Sequence, residues 1–80
     1  VVSKAYPNPA TDKVTIELSD EFRQGIVVVY SIDGNECLRK GFTGSRTNVD
    51  VTGLPTGYYQ YQIIDITKIL SGGSFIVAER

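Results

Sequence analysis

Carboxylates and a single thiol are the side chains of this sequence that could do chemistry at neutral pH. The 80 residues include nine acids, one cysteine and no histidine. Two carboxyl groups about 5 to 9.5 Å apart can cleave a glycosidic bond, but these acids fall in predicted turns or at outward strand positions. A thiol without histidine lacks its usual activating base. We therefore expect solvated surface acids and no enzymatic activity.

Metal and phosphate sites are disfavoured by the spacing of the residues that would form them. The stretch DGNE, residues 33–36, offers alternate oxygens, but a calcium loop also needs Gly at its sixth position and Glu at its twelfth. Those positions hold Leu38 and Gly44. The glycine-rich stretches TGSR and SGGS precede no helix whose N-terminus could bind phosphate. We expect no metal and no cofactor.

Cys37 is the one thiol and cannot form a disulfide within the chain. It could be a reactive group or form a bridge to another molecule. The favoured interpretation is a small hydrophobic side chain buried in a strand.

The charge and hydropathy patterns exclude two classes of partner. Basic residues are scattered, with Arg39-Lys40 the one adjacent pair, whereas nucleic-acid binding needs a basic patch. The longest apolar run, Ile26 to Tyr30, is far shorter than the roughly 18 to 20 residues of a membrane-spanning helix. No basic, apolar leader opens the sequence. We expect residues 1–80 to be a single domain of a larger exported protein that begins upstream.

The stretch VVVYSIDGNECLRKGF predicts a β-hairpin. Its β-branched run meets Asp33-Gly34, and an alternating run follows. Asp-Gly suits a two-residue type I′ loop, whose positive φ angles match the twist of the flanking strands. We predict strands over Ile26–Ile32 and Asn35–Phe42.

The remaining apolar residues alternate in short runs separated by turn-forming residues. A strand is predicted at Val14–Leu18, before the polar break SDEFRQG, and another at Thr47–Val51, after a TGSR turn. TGLPTG is a predicted loop. A last strand, Ile69–Ala78, contains Gly72-Gly73, which indicates a bulge or a close backbone approach. With no helical periodicity, the sequence predicts an all-β antiparallel sandwich or barrel.

Alternation in the stretch YYQYQI divides its aromatic residues between two faces. Tyr59 and Tyr61 are predicted to point into the core. Tyr58 points outward with Gln60 and Gln62, which together offer weak support for a sugar-binding surface.

The prolines near the start of the chain restrict its path. Pro7 and Pro9 bias the residues before them to extended backbone and remove two amide donors. Asn8, between them, can bond its own backbone. The PNP motif therefore predicts a rigid bend that crosses between sheets, and its residues are explained as a corner without any partner.

Four stretches, YPNPATDKVTIEL, VVVYSIDGNE, VDVTGLPTGYYQYQI and GGSFIVAER, resemble in order and spacing the C-terminal sorting domain of the type IX secretion system of Bacteroidota. The resemblance covers essentially the whole chain. It implies a compact Ig-like antiparallel β-sandwich of about seven short strands. It also implies a non-catalytic signal domain at the C-terminus of exported cargo.

The resemblance implies a route and partners as well. The cargo crosses the periplasm, passes the outer-membrane translocon and reaches the cell surface or the medium. A sortase-like peptidase commonly removes the domain. The alternative is a carbohydrate-binding or adhesive module attached to a secreted enzyme.

Residues that match the family's motifs fall into two groups. The recognition candidates are Pro7, Asn8, Pro9, Gly73, Phe75, Ile76, Val77 and Arg80. The structural motif residues are Asp33, Gly34, Leu54, Pro55, Gly57 and Tyr59. Two departures are the turn DITK, which is usually rich in glycine or asparagine, and the end Glu79-Arg80, where a lysine is common.

The last predicted strand has apolar residues on both faces. Phe75 and Val77 share one side, and Ile76 lies on the other. In a central strand both sides would be buried, and this core packing is the favoured interpretation for Phe75 and Val77. At an edge, the free amides and carbonyls would offer a partner a row to extend.

Overall fold

The computed structural model describes residues 2–65 and 68–78, and their regular secondary structure is all β. These described residues form five strands, β1 (Ser3–Tyr6), β2 (Lys13–Ser31), β3 (Glu36–Asp50), β4 (Gly57–Asp65) and β5 (Lys68–Val77). They pair antiparallel in one sheet in the order β1-β2-β4-β5, with β3 on β2. The predicted all-β antiparallel class is confirmed.

Five strands replace the expected seven because β2 and β3 run through both predicted breaks. The polar stretch Ser19–Gly25 lies inside β2, and the predicted TGSR turn lies inside β3. Phe22 pairs with Gly44 between two register shifts, and Gly44 has a φ of +92°. The two strands therefore bend together and stay paired, so the turn-forming residues make a bulge. The prediction of turns there was wrong.

The bend curls the sheet around a single core. The front half of β2 pairs with β1, and its rear half, from Ile26 to Ser31, pairs with β4. Inward-facing side chains from both halves meet inside the curl. The core consists of Ala10, Val14, Ile16, Leu18, Val27, Val29, Val49, Val51, Tyr59, Tyr61, Ile63, Phe75 and Val77.

The two ends of the sheet order, β1 and β5, are joined by side-chain hydroxyl groups. Ser3 Oγ lies 3.0 Å from the hydroxyl of Tyr61 on β4. Ser71 Oγ on β5 donates a hydrogen bond of 2.7 Å to the same Ser3 oxygen. We call this contact of Ser3, Tyr61 and Ser71 the hydroxyl seam.

Glu17 links three strands on the outer surface of the front half. Its carboxylate lies 2.8 Å from Arg46 Nη2 on β3 and 3.4 Å from Lys4 Nζ on β1. Hydrogen bonds from Arg46 and then from Lys4 lower the pKa of Glu17. Because Lys4 and Arg46 are exposed and Glu17 is only half-buried, this cluster fixes side-chain geometry and adds little to stability.

The predicted hairpin between β2 and β3 is confirmed, but its turn type was wrong. Gly34 N donates to Ser31 O, and Ser31 N donates to Asn35 O, both at 2.9 Å. Gly34 has a φ of +88°, whereas Asp33 has no positive φ. This is the pattern of a three-residue loop that a glycine in the left-handed region completes. A type I′ loop would need positive φ at Asp33 as well.

Replacing Gly34 by valine should destabilise the domain by about 1 to 3 kcal/mol, because a β-branched residue is strained at positive φ. The melting temperature should fall by at least about 4 °C. Gly53→Val is the matched control, since Gly53 has no positive φ and a Cβ there meets no atom within 4 Å. Equal melting temperatures for the two variants would contradict the described loop.

Candidate functional site

Four motif segments that are far apart in sequence lie at one end of the molecule, which we call the motif pole. They are residues 7–12, the hairpin loop 32–34, the loop 52–56 and the end of β5. The register places Ser31 opposite Tyr59 and Gly57 opposite Val77. Val51 N donates to Asp12 O at 2.9 Å, which adds the proline segment to the same end.

The proline segment is hydrogen bonded to the end of β5. Ala10 N donates to Ile76 O, and Ala78 N donates to Ala10 O, both at 2.8 Å. Asn8 Oδ1 accepts a bond of 2.9 Å from Ile76 N. Ala10 forms a parallel bridge with Val77 and is fully buried. We call these contacts the pole clasp.

The pole clasp changes two expectations about this region. Both backbone groups of Ile76 and the amide of Ala78 already have partners, so the alternative of a free edge with open amides there does not hold. Asn8 bonds the Ile76 amide across the molecule, in place of the predicted bond to its own backbone. A bend is present at Pro7 and Pro9, which are exposed and follow cis peptide bonds. The prediction that it crosses between sheets was wrong, because it joins β1 to β2, which are paired neighbours in one sheet.

The loop that contains Leu54 and Pro55 packs beside the end of β5. Tyr59 OH donates a hydrogen bond of 2.6 Å to Pro55 O, and Leu54 packs against the core. Burial of its ring raises the pKa of Tyr59, so the hydroxyl stays protonated as a donor. A shallow cavity of about 290 Å³ lies between this loop, Val77 and Ala78.

Two of the recognition candidates are core residues. Phe75 is fully buried, and its ring centroid lies 5.9 Å from that of Tyr59 and 6.4 Å from that of Tyr61. Val77 is also buried. The predicted inward orientation of both tyrosines is confirmed. Neither Phe75 nor Val77 has a side chain that a partner could contact while the domain is folded.

Gly73 and Gly72 allow a close approach of Tyr61. A Cβ at Gly73 would lie 2.7 to 2.9 Å from atoms of the Tyr61 side chain, and one at Gly72 would lie 3.0 Å from Tyr61 O. Of the two predicted roles for these glycines, close approach is confirmed. The register shift between β4 and β5 occurs elsewhere, between Ile63 and Ile64.

The accessible apolar surface of the motif pole includes Ile32 in the hairpin loop, which is 75% exposed, and a cross-strand pair on β4 and β5. Tyr58 on β4 lies opposite Ile76 on β5, and their side chains are 43% and 46% exposed. The exposed prolines 7 and 9 flank Asn8, whose side chain bonds the Ile76 backbone. Arg80, the remaining recognition candidate, lies outside the described residues. Residues 66 and 67, the middle of the DITK turn, also lie outside them.

The predicted sugar-binding face is also at the surface. Tyr58 and Gln60 are exposed, as alternation predicts. Gln62 is half-buried, and its side-chain oxygen accepts a hydrogen bond of 3.2 Å from the hydroxyl of Tyr30. This face offers amide groups beside one exposed aromatic ring.

Cys37 is exposed, so its predicted burial was wrong. The register changes between the pairs Val29–Leu38 and Tyr30–Glu36. Cys37 is therefore the extra residue of a bulge and lies opposite no residue of β2. Its thiol lies 3.6 Å from Asn35 O.

In residues 2–65 and 68–78, no group of three or more Cys, Asp or Glu side chains could hold a metal ion. Within the same residues, no helix is long and apolar enough to cross a membrane.

Sequence reasoning missed Ala10, which the pole clasp depends on. Its small side chain is fully buried, its N–H donates to Ile76 O, and its carbonyl accepts from Ala78 N. One small residue after the PNP motif forms no periodic pattern, so the sequence could not predict its bridge to a residue 67 positions later.

A family model for the secretion system C-terminal sorting domain matches residues 4–77. Except for Ser3 at the start of β1, this match covers the five described strands and the four segments of the motif pole. The chain belongs to the type IX secretion C-terminal sorting domains. No curated protein sequence matches it closely enough to add a relative.

Membership makes this sorting domain a signal for export to the cell surface or the medium. Such a signal must be read by the secretion machinery. Families of this kind are typically non-catalytic.

In the sorting domain, Asn8→Ala should loosen the end of β5, because it removes the acceptor of the Ile76 amide. The loss of one hydrogen bond costs about 0.5 to 1.5 kcal/mol, so exchange of the Ile76 amide should accelerate by up to about tenfold. NMR hydrogen exchange measures this rate. Asn8→Asp keeps an acceptor oxygen and should exchange like wild type. Unchanged exchange in Asn8→Ala would remove the side chain from the pole clasp.

Proposed function

We propose that this domain directs an upstream cargo protein through the outer-membrane translocon of the type IX secretion system and is itself non-catalytic. In the proposed route the cargo crosses the periplasm of a Bacteroidota cell and ends at the surface or in the medium. A sortase-like peptidase then cuts the domain from its cargo. The observation that carries the proposal is the convergence of the family's separate motifs at the motif pole.

The proposal includes an Ig-like arrangement for the whole of residues 1–80. The bend divides β2 and β3 into front and rear halves, so the five strands contain seven paired segments. Three of them, from β1, β2 and β3, form the front, and four, from β2, β3, β4 and β5, form the rear. This division supports a sandwich-like interpretation of the curled sheet.

The surface that we propose the export machinery contacts is the Tyr58–Ile76 pair with the adjacent exposed prolines 7 and 9. Phe75 and Val77 alternate with Ile76 on β5 but are buried. The end of β5 thus combines inward residues that maintain the fold with an outward residue that is free for contact. Exposed aromatic and aliphatic side chains are effective anchors for a protein partner.

A reporter fused upstream of residues 1–80 tests the general proposal. In a bacterium that has the type IX system, the reporter should reach the surface or the medium, and it should stay inside when the translocon gene is deleted. Release of the reporter without the domain, detected by mass spectrometry, would support peptidase cleavage. Export that is independent of the translocon would refute the assignment.

Replacing Ile76 by serine should reduce export of the fusion by about tenfold or more, because it removes a central apolar anchor. Ile69→Ser is the matched control, since Ile69 is 59% exposed and lies on β5 at the end opposite the motif pole. Circular dichroism should show both variants folded. Equal export of the two variants would exclude the Ile76 side chain from recognition.

Deleting residues 76–80 should abolish export, but this deletion also removes Val77 from the core and the partner of Ala10. Its effect therefore combines unfolding with loss of the signal.

Changing Glu79 and Arg80 to alanine should weaken export while the fold persists. Immunoblots of cell and medium fractions separate these outcomes, and normal export of the deletion would contradict a role for the end of β5.

A second candidate function is carbohydrate binding or adhesion by the face of Tyr58, Gln60 and Gln62. The exposure of Tyr58 and Gln60 on one face supports it. Glycan-array binding that Tyr58→Ala abolishes, together with translocon-independent location, would favour this candidate over a sorting signal.

A further inference from the structure

The edge of β3 carries an inference separate from export. Among the described residues, β3 pairs with β2 alone, so the other side of this 15-residue strand has no backbone ladder. An edge of this length is a template for pairing with another chain. Every copy of the protein presents the same edge, so a second copy is a pairing partner that is present in any solution of the protein.

Lys40 lies at this edge and is on the core side of the strand. The register places Lys40 opposite Val27, which is fully buried. Residues directly opposite in an antiparallel pair share a face, so Lys40 belongs to the inward face. Its neighbours on that face, Leu38 and Phe42, both pack against the core. A charge is therefore placed where alternation would favour an apolar side chain.

The ammonium group of Lys40 reaches the backbone of the same strand beyond the bend. Lys40 Nζ donates a hydrogen bond to Asn48 O, eight residues later. The bend at Gly44, where φ is +92°, brings these two parts of β3 together. Lys40 is exposed, so its aliphatic stem covers the rim while its charge stays in water.

We propose that Lys40 prevents the β3 edge from pairing with the β3 edge of a second copy. A docking strand would have to displace the bond to Asn48 O and remove water from the ammonium, and an unpaired charge taken out of water is costly. Inward-pointing charged residues protect edge strands in this way. Lys40 thereby keeps the domain monomeric.

Sedimentation velocity over a range of concentrations tests the proposal on the 80-residue chain. Wild type should be monomeric, and Lys40→Val should self-associate at least about tenfold more tightly. Hydrogen exchange of the associated variant should show new protection in residues 36–50. Arg39→Val is the matched control, because Arg39 is the adjacent residue on the outer face, opposite Val28 and paired with Glu36. It should remain monomeric.

Two further variants keep the outcome interpretable. Lys40→Arg retains the charge and should stay monomeric, whereas Lys40→Gln retains a polar side chain of nearly the same length without charge and should associate. If Lys40→Val fails to fold by circular dichroism, Lys40→Gln decides the question. A monomeric, folded Lys40→Gln, equal association of Arg39→Val, or a wild-type dimer through β3 would each overturn the proposal.

Discussion

The pairing of β2 with β3 on both sides of the bend is the constraint on which the rest of the structure depends. It persists through the bend because Phe22 and Gly44 face each other where both strands change direction. A bent two-stranded ladder has a front and a rear half, and β1 and β4 then add to different halves. The core is enclosed by this curl, and the loops that follow the strand ends are brought to one pole. Loss of the bend would separate these loops.

Much of the fold follows from local pattern, and the errors have a common cause. The hairpin at Gly34 and the inward tyrosines 59 and 61 were predictable because alternation and turn chemistry act within a few residues. The structure of the stretch SDEFRQG was not predictable, since polar and turn-forming residues suit a loop and a bulge equally well. Only its pairing with β3, which is non-local, decides between them. Cys37 was misplaced for the same reason, because a bulge leaves it without an opposite residue.

The family motifs name the residues of the candidate site but do not show how they are arranged in space. Asn8 and Ile76 are both among the recognition candidates, yet nothing in the sequence says that the side chain of one bonds the backbone of the other. Burial then divides the motif at the end of β5 into two kinds of residue. Phe75 and Val77 hold the strand in place, and Ile76 is presented to solvent. The Tyr58–Ile76 surface that we propose for the export machinery exists only in the folded domain, since the pairing of β4 with β5 forms it.

The hydroxyl seam is the part of the fold where we expect local opening to begin. Three hydroxyl groups, of Ser3, Tyr61 and Ser71, join strands that a backbone ladder would otherwise join. Hydroxyl groups can also bond water, and β1 has only four residues, so we expect this side of the curl to open at lower free energy than the β2–β3 ladder. Solvent should then reach the interior first between β1 and β5.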